Sequence, residues 1–415
     1  MSSSSPGLYR SAADSDGRTS TPSGRHPRSD PLRSPAAGGS AGARRRDPVW
    51  AKVCVIVGAV LVVASGATLV GGRVLIAQAT SAIGQQNLLG DAGVSGGEAA
   101  NIDGPVTMLL VGLDVRGDQH DDSVRSDTIL IAHIPASHDQ AYLVSIPRDS
   151  RVAIPDYPKT GFKGYSTKIN AAFQGGYRGP GTESEKRARG VELLAMTVEQ
   201  LTGIEFTGAA IIDFGGFEAV LRELGGVTLC VERRAQAIHL AKDKNGKIVK
   251  AWYDEAAGKV RGIPPGGSLL YYEPGCQKMT PQLALEYSRL RKGTCCPNGD
   301  YDRQRHQQQL IKAIISEATS KGILTNPGKL NRILQAAGNA LVLDTQGVPV
   351  ANFLFTFKSL GAGDLILVKT NAGKVNTVPG TSDEQLSDES MQTFAAIRDN
   401  TLTTWLTNHP QLIAR

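Results

Sequence analysis

Residues 106–149 read VTMLLVGLDVRGDQHDDSVRSDTILIAHIPASHDQAYLVSIPRD. Three short apolar runs stand out, at 106–112, 128–134 and 141–146. Each is dense in Val, Ile and Leu with little polar alternation, as expected of strands covered on both faces. Charged residues cluster where the runs begin and end: Asp114 after the first, Arg125 and Asp127 before the second, Arg148 and Asp149 after the third. Sites in open α/β sheets gather at strand ends.

Downstream, helical periodicity is expected over 183–201, 214–224, 281–288, 301–320, 327–340, 349–360 and 389–407. Further strands are expected at 209–213, 227–231 and 365–370. Strands interleaved with helices indicate an α/β domain with a covered sheet. No internal repeat is seen. Thr280 followed by Pro281 is a strong helix start, and Asp300 is expected to cap the helix that follows it.

Upstream, residues 1–48 are rich in Ser, Pro, Gly and Arg, cannot bury a core and are expected to be a disordered tail. Residues 53–72 carry no formal charge and are mostly Val, Ala, Leu and Gly. Twenty residues at helical rise span about 30 Å, the hydrocarbon thickness of a bilayer. A transmembrane helix is therefore expected within 49–76, then a Gly- and Ala-rich stalk over 77–104. Arg44, Arg45 and Arg46 precede the apolar run, so the N-terminus is expected in the cytoplasm and the rest outside the cell membrane. A cleaved signal peptide competes, because Ala77-Gln78-Ala79 has the A-x-A form, but the run is long for one and a long tail precedes it.

Hydrophobic residues make up 40% of the 415, enough for a sizeable core, and the net charge of +6 favours anionic partners without choosing among them. Of the five cysteines, Cys54 lies in the apolar run. The remaining Cys230, Cys276, Cys295 and Cys296 read as disulfides of an exported domain. A bond between the adjacent Cys295 and Cys296 would need a strained ring, so each is expected to pair with Cys230 or Cys276. A zinc site lacks both a C-x-x-C pair and a histidine at ligand spacing.

The chemistry-bearing residues are both basic and acidic, with the basic ones in the majority. Asp114 and Asp127 are oxygen donors suited to a hard cation shared with phosphate. Lys168 can supply a point charge to a phosphate. Arg289 and Arg291 share a face only if the helix before them has ended; two guanidiniums on one face suit a pyrophosphate. Arg303, His306 and Gln307 fall on one helix face. Each feature alone also fits a turn, a cap or a solvated surface. No Walker loop, G-x-S-x-G element or dinucleotide fingerprint is present.

With these residues in place, the chain resembles the LytR–CpsA–Psr family. The resemblance covers about residues 105–408, leaving 409–415 as a tail. It rests on LLVGLD, RSDTI, SIPRD, KINAAF, IIDFGGF, GGV, LALEYSRLRK and GDYDRQRHQQQ, in that order. It implies an α-β-α sandwich with a mixed sheet and a hydrophobic tunnel for a polyprenyl chain. It implies an Mg²⁺-dependent phosphotransferase (Mn²⁺ as a substitute) that moves a glycopolymer from polyprenyl pyrophosphate to a peptidoglycan hydroxyl. The product is a phosphodiester and polyprenyl phosphate leaves. By motif, Asp114 and Asp127 would hold the metal. Arg125, Arg148, Arg289 and Arg291 would grip the pyrophosphate, and Lys168, Asn170, Asp300, Arg303 and Gln307 would complete the polar end. Asp127, Arg148, Arg289 and Arg291 would be the catalytic set, with Asp127 or Asp149 as the base.

In one place the chain departs from the family: many members have Arg-Gln where His306-Gln307 stands here, with Arg305 one residue earlier. The 234–275 insert looks long and has no family role. The Gly, Ala and Arg content leans towards an actinobacterial source and an arabinogalactan-like polymer. Rival readings are a lipid-pyrophosphate pyrophosphatase, a non-catalytic polyprenyl-lipid binder and a transcription regulator. The last lacks any helix-turn-helix signal.

Overall fold

The computed structural model describes residues 84–93, 102–113, 124–293, 295–323, 326–350, 352–353 and 360–414. All lie in the compact unit Val62–Arg415. Among them no helix is long and apolar enough to cross a membrane. The tail, the apolar run at 53–72, Asp114 and residues 351 and 354–359 of the expected helix at 349–360 lie outside the described residues.

The strands are β1 (Gly84–Gln85), β2 (Val106–Leu113), β3 (Ser126–Ile134), β4 (Ala141–Ser145), β5 (Arg151–Ile154), β6 (Tyr165–Lys168), β7 (Gly208–Asp213), β8 (Val227–Val231), β9 (Ala235–Lys242), β10 (Ile248–Lys250), β11 (Trp252–Asp254), β12 (Lys259–Arg261), β13 (Ser268–Tyr272), β14 (Gly275–Met279), β15 (Leu341–Asp344) and β16 (Leu365–Val368). The helices are α1 (Asn170–Tyr177), α2 (Glu183–Thr202), α3 (Phe214–Leu224), α4 (Pro281–Ser288), α5 (Asp300–Ser320), α6 (Pro327–Ala337), α7 (Asp388–Arg398) and α8 (Leu402–Asn408).

Seven strands form one mixed sheet in the order β1-β15-β7-β2-β3-β4-β16. β2 runs parallel to β7 and antiparallel to β3, and β4 runs parallel to β16. Alternation along β2 divides its side chains between two layers. Leu109, Val111 and Leu113 join Ile129, Ile131 and Val144 in a core closed by Phe173 of α1, Leu194 of α2 and Phe394 of α7. On the other face, Leu110 packs with Leu143, Leu367 and Ile311 of α5. The sheet is therefore helix-covered on both sides, and its strands read as apolar runs for that reason.

Local signals set the helix ends. Thr182 and Glu185 form a reciprocal capping box before α2, and Gly203 (φ 70°) closes it in the left-handed region. Asp213, the last residue of β7, accepts the Gly216 N–H and starts α3. Thr280 accepts the Leu283 N–H and starts α4, as expected.

Four expectations are corrected. The helix expected over 327–340 ends at Ala337, a short 3-10 turn follows, and the next residues form β15 at the sheet's far side. The helix expected over 389–407 breaks between α7 and α8, where Asn400 takes φ 53°. The strand expected over 365–370 stops at Val368, and a 3-10 turn begins at Thr370 with Asn371 and Ala372 at positive φ. The disulfides join Cys230 to Cys276 and Cys295 to Cys296. β8 and β14 pair antiparallel with Cys230 directly opposite Cys276, which leaves the adjacent pair to each other. The 234–275 insert forms a sheet of β10, β9 and β13 and a hairpin of β11 and β12.

Candidate functional site

Five segments bring charged side chains together. Asp127 lies at the entry of β3, and Arg148 and Asp149 lie in the turn after β4. Lys168 ends β6, Asn170 opens α1, and Asp300, Arg303 and Gln307 line the first two turns of α5. The Arg148 guanidinium donates from Nη1 to Asp127 Oδ1 at 2.6 Å, and its Nε lies 3.6 Å from Asp300 and 3.7 Å from Asp149. Lys168 Nζ reaches Asp149 at 2.9 Å. Arg303 Nη2 is 2.7 Å from Asp300 Oδ1 and donates to the Asp127 carbonyl at 3.0 Å. The Asn170 N–H donates to the Arg148 carbonyl, fixing the turn.

The cluster holds its cations under mutual repulsion. Burial lowers the Arg303 pKa, and Arg148 and Arg291 push it further against the opposing pull of Asp300 and Asp127. Arg291 thus acts on Arg303 through its charge, and α4 ends at Ser288 as expected. For Arg148 burial opposes the charge, but Asp127, Asp300 and Asp149 outweigh it and raise the pKa. The Nε groups of Arg148 and Arg303 are buried without a hydrogen-bond acceptor, as are Asn170 Oδ1 and Gln307 Oε1 without a donor. Orphaned N–H groups on clustered guanidiniums are what a multivalent anion satisfies.

Other expected members have different surroundings. Arg125 is exposed beside the entry of β3. Arg289 is half-buried as the C-cap of α4, its N–H donating to the Glu286 carbonyl. Asp300 is not the N-cap of α5 but its first residue; Gly299 at φ 56° precedes it, and Asp302 accepts the Asn298 N–H. Arg305 is engaged by Asp302 and Glu232. His306 is buried against the Tyr287 ring, centroids 4.4 Å apart, with its pKa lowered to about 3 chiefly by burial.

Beside the charges, between the sheet and the helices, lies a mostly apolar cavity that is partly open to solvent. Leu110, Leu130 and Ile212 line the sheet side, and Phe217 of α3, Leu285 of α4 and Leu310 of α5 line the helix side. Its lining also includes Thr128, next to Asp127, and Gln307, one helical turn from Arg303. An apolar cavity thus abuts a cationic cradle.

Three residues outside the expected set brace that cradle. The Tyr301 hydroxyl donates to Glu384 Oε2 at 2.6 Å and accepts from Asn371 Nδ2 at 2.7 Å. The Glu384 N–H donates to the Asp149 carbonyl, and its carbonyl accepts from the Arg151 N–H. Burial, then Asp300 and Asp149, raises the Glu384 pKa.

As a test of fit for a divalent cation, Asp127 commits Oδ1 to Arg148 and leaves a second carboxylate oxygen, a hard donor of the kind magnesium takes alongside phosphate oxygens. Among the described residues no three His, Cys, Asp or Glu side chains group as a metal site.

The chain is similar to the cell wall biosynthesis protein LcpA of Corynebacterium glutamicum, 28% identical over 361 residues, covering 81% of this chain and 62% of that protein. It is similar to TagU of Bacillus cereus, a polyisoprenyl-teichoic acid–peptidoglycan teichoic acid transferase, 27% identical over 58% of this chain and 61% of the relative. It thus spans about three-fifths of the length of each. In fold it is similar to the crystal structure of TagV from B. subtilis, with a TM-score of 0.50 and 20% identity over 72% of this chain and 98% of that one. The LytR_cpsA_psr family model matches residues 76–396, most of the chain. The chain belongs to the LytR_cpsA_psr family.

Proposed function

We propose that the protein transfers a glycopolymer from a polyprenyl-pyrophosphate carrier to a hydroxyl of peptidoglycan. The observation that carries this reading is the apolar cavity opening beside the Arg148–Arg303 cradle, a shape matched by an amphiphile with a doubly charged head. The polyprenyl chain occupies the cavity as a tunnel. Arg148, Arg291, Arg303 and Lys168 hold the pyrophosphate, with Arg125 and Arg289 at its rim and Asn170, Gln307 and Asp300 fixing its orientation.

The acceptor hydroxyl oxygen bonds to the phosphorus that carries the glycan, and the bond from that phosphorus to the bridging oxygen breaks. Polyprenyl phosphate leaves with the bridging oxygen's electron pair, and the hydroxyl proton passes to Asp127 or Asp149. Charge grows on the bridging oxygen as the bond opens. Guanidiniums already fixed by Asp127 and Asp300 stabilise it without rearranging, the main requirement of phosphoryl transfer. Magnesium, or manganese in its place, would be held by Asp114 and Asp127 and would supply further charge neutralisation at the phosphates. In this reading the apolar run at 53–72 anchors the chain once in the cell membrane, with its N-terminus inside and the folded domain outside.

The test incubates the full chain in detergent with lipid-linked glycopolymer and a peptidoglycan oligomer, with and without Mg²⁺, and follows products by mass spectrometry. A phosphodiester-linked product that Arg291→Ala abolishes supports the transferase. Release of polyprenyl phosphate without linkage indicates a pyrophosphatase, and lipid binding without either product indicates a carrier.

A further inference from the structure

The insert at 234–275 was without a role in the sequence. We infer that its β11–β12 hairpin binds the glycan of the lipid-linked donor where the glycan leaves the pyrophosphate. The inference rests on the functional reading above and assigns the surface beyond the cradle.

Register defines the hairpin's two faces. Trp252 pairs with Arg261, Tyr253 with Val260 and Asp254 with Lys259. Side chains alternate along a strand and cross-strand partners share a face. Val260 is buried in the core with Tyr253 packed against it, so Trp252, Asp254, Lys259 and Arg261 share the other face. Trp252 is 59% exposed. Its ring lies on Gly262: a Cβ there would come within 2.2 Å of the indole, and Gly262 also holds φ 79°. The backbone thus covers part of the ring, while the rest meets solvent.

The hairpin is fastened to the residue that follows Arg291. Lys292, the residue after Arg291, pairs with Glu255 in the hairpin turn, and its ammonium lies 5.1 Å from the centre of the Tyr253 ring. Glu286 of α4 accepts the N–H groups of Ile238 and His239, both at 2.8 Å, which ties the rest of the insert to the helix leading to those arginines.

The chemistry of the face selects its occupant. A sugar ring presents C–H bonds on its face and hydroxyls at its edge. An amphipathic aromatic plate meets the first. The Asp254–Arg261 pair, 3.3 Å apart, and the exposed Lys259 offer acceptors and donors to the second. Tyr165, Trp252 and Val375 are the exposed large hydrophobics among the described residues, and Trp252 alone lies on the hairpin. One ring ringed by polar groups falls short of the apolar patch a stable protein partner needs, and it lacks the several apolar anchors of a membrane-inserting surface.

The experiment measures binding of the full chain in detergent to two lipids: the lipid-linked glycopolymer extracted from cells that make this protein, and glycan-free undecaprenyl pyrophosphate. Trp252→Ala is expected to weaken the first by about tenfold, a loss within the range of one aromatic contact, and to leave the second unchanged. Trp252→Phe is expected to recover most of the loss. Equal binding of the glycopolymer by wild type and Trp252→Ala overturns the inference. So does equal weakening towards both lipids. A loss confined to plain anionic vesicles of phosphatidylglycerol overturns it in favour of a membrane contact. If wild type binds neither lipid, the functional reading fails by itself. The inference then stands or falls on the glycan released from its lipid: binding by wild type and not by Trp252→Ala keeps it, any other pattern ends it.

Discussion

The hydroxyl of Tyr301 donates to the carboxylate of Glu384 at 2.6 Å, across 83 residues of sequence. Tyr301 sits in the first turn of α5, beside Asp300. Glu384 holds the other half of the cradle through its backbone, since its N–H and C=O bond to Asp149 and Arg151. One residue therefore joins the helix that carries Arg303 to the turn that carries Arg148. The placement of Arg148 relative to Arg303 depends on this brace, although neither residue lines the cavity.

Removing the Tyr301 hydroxyl leaves Glu384 Oε2 without its donor and Asn371 Nδ2 with the Gln385 carbonyl alone. Tyr301→Phe is expected to cost about 1–3 kcal/mol of stability. It should also lower kcat more than it raises KM for the donor, because the cradle loosens before it loses a contact. Glu384→Gln keeps an acceptor for Tyr301 and isolates the charge. A carboxyl whose folded pKa lies above its unfolded value of 4.5 contributes stability that is full below that value and lost as pH rises through the folded pKa. Denaturant melts from pH 4 to 8 should fall less steeply for Glu384→Gln than for wild type. Identical slopes would remove Glu384 from the pH dependence.

Why the sequence exposed some of this and hid the rest is a matter of where each signal resides. β2, β3 and β4 were legible because burial on both faces leaves unbroken Val, Ile and Leu. Arg148, Lys168 and Arg303 were legible because they sit at strand ends and on a helix start. The end of α4 at Ser288 followed from the two-residue spacing of Arg289 and Arg291. Glu384 and Asn371 carry no such mark: they lie in polar stretches that read as loop, and their partners come from distant segments. β15 was hidden because its four residues continue an apolar helical pattern, and only pairing with β7 makes them a strand. The disulfides could not be read, since facing positions on β8 and β14 are fixed by register alone.

Arg303 is expected to be the most costly guanidinium to remove. It is buried, paired with Asp300 and bonded to the Asp127 backbone. Arg303→Met removes the nearer ion-pair partner of Asp300, leaving Arg148 Nε at 3.6 Å, and the donor to the Asp127 carbonyl. The lost hydrogen bonds cost about 1–3 kcal/mol, and a fixed donor worth about a hundredfold in rate or more is lost. Arg303→Lys restores the charge without the planar fork. It should regain more stability than rate, which paired melting and turnover measurements will show. Equal recovery of both would mean that charge alone, and not geometry, is used there.

The two disulfides should differ sharply in worth. Cys230–Cys276 closes a loop with a sequence separation of 46; the chain-entropy model gives about 4 kcal/mol for it. Cys295–Cys296 has a separation of 1 and closes no chain loop. Cys230→Ser with Cys276→Ser should lower Tm substantially, and Cys295→Ser with Cys296→Ser should barely move it. Non-reducing peptide mapping checks the pairing itself. A fragment linking Cys230 to Cys295 would contradict this fold of β8 against β14.

His306 gives the site's helix an acid limit. Its ring is buried against Tyr287, and burial, reinforced by Arg305, lowers its pKa from 6.5 to about 3. The folded chain therefore binds that proton more weakly than the unfolded chain does. A group with a depressed folded pKa contributes stability that is full above the unfolded value and is lost as pH falls through the window from about 6.5 towards about 3. Replacing His306 with Phe keeps a ring in the aromatic contact and removes the titration. Its stability should fall less than that of wild type between pH 6.5 and 4, read by denaturant melts. His133, lowered to about 4 mainly by burial, titrates in the same window and is held constant in both proteins, so the difference belongs to His306. A His306→Phe variant as acid-sensitive as wild type would mean that the ring is not buried as a neutral group.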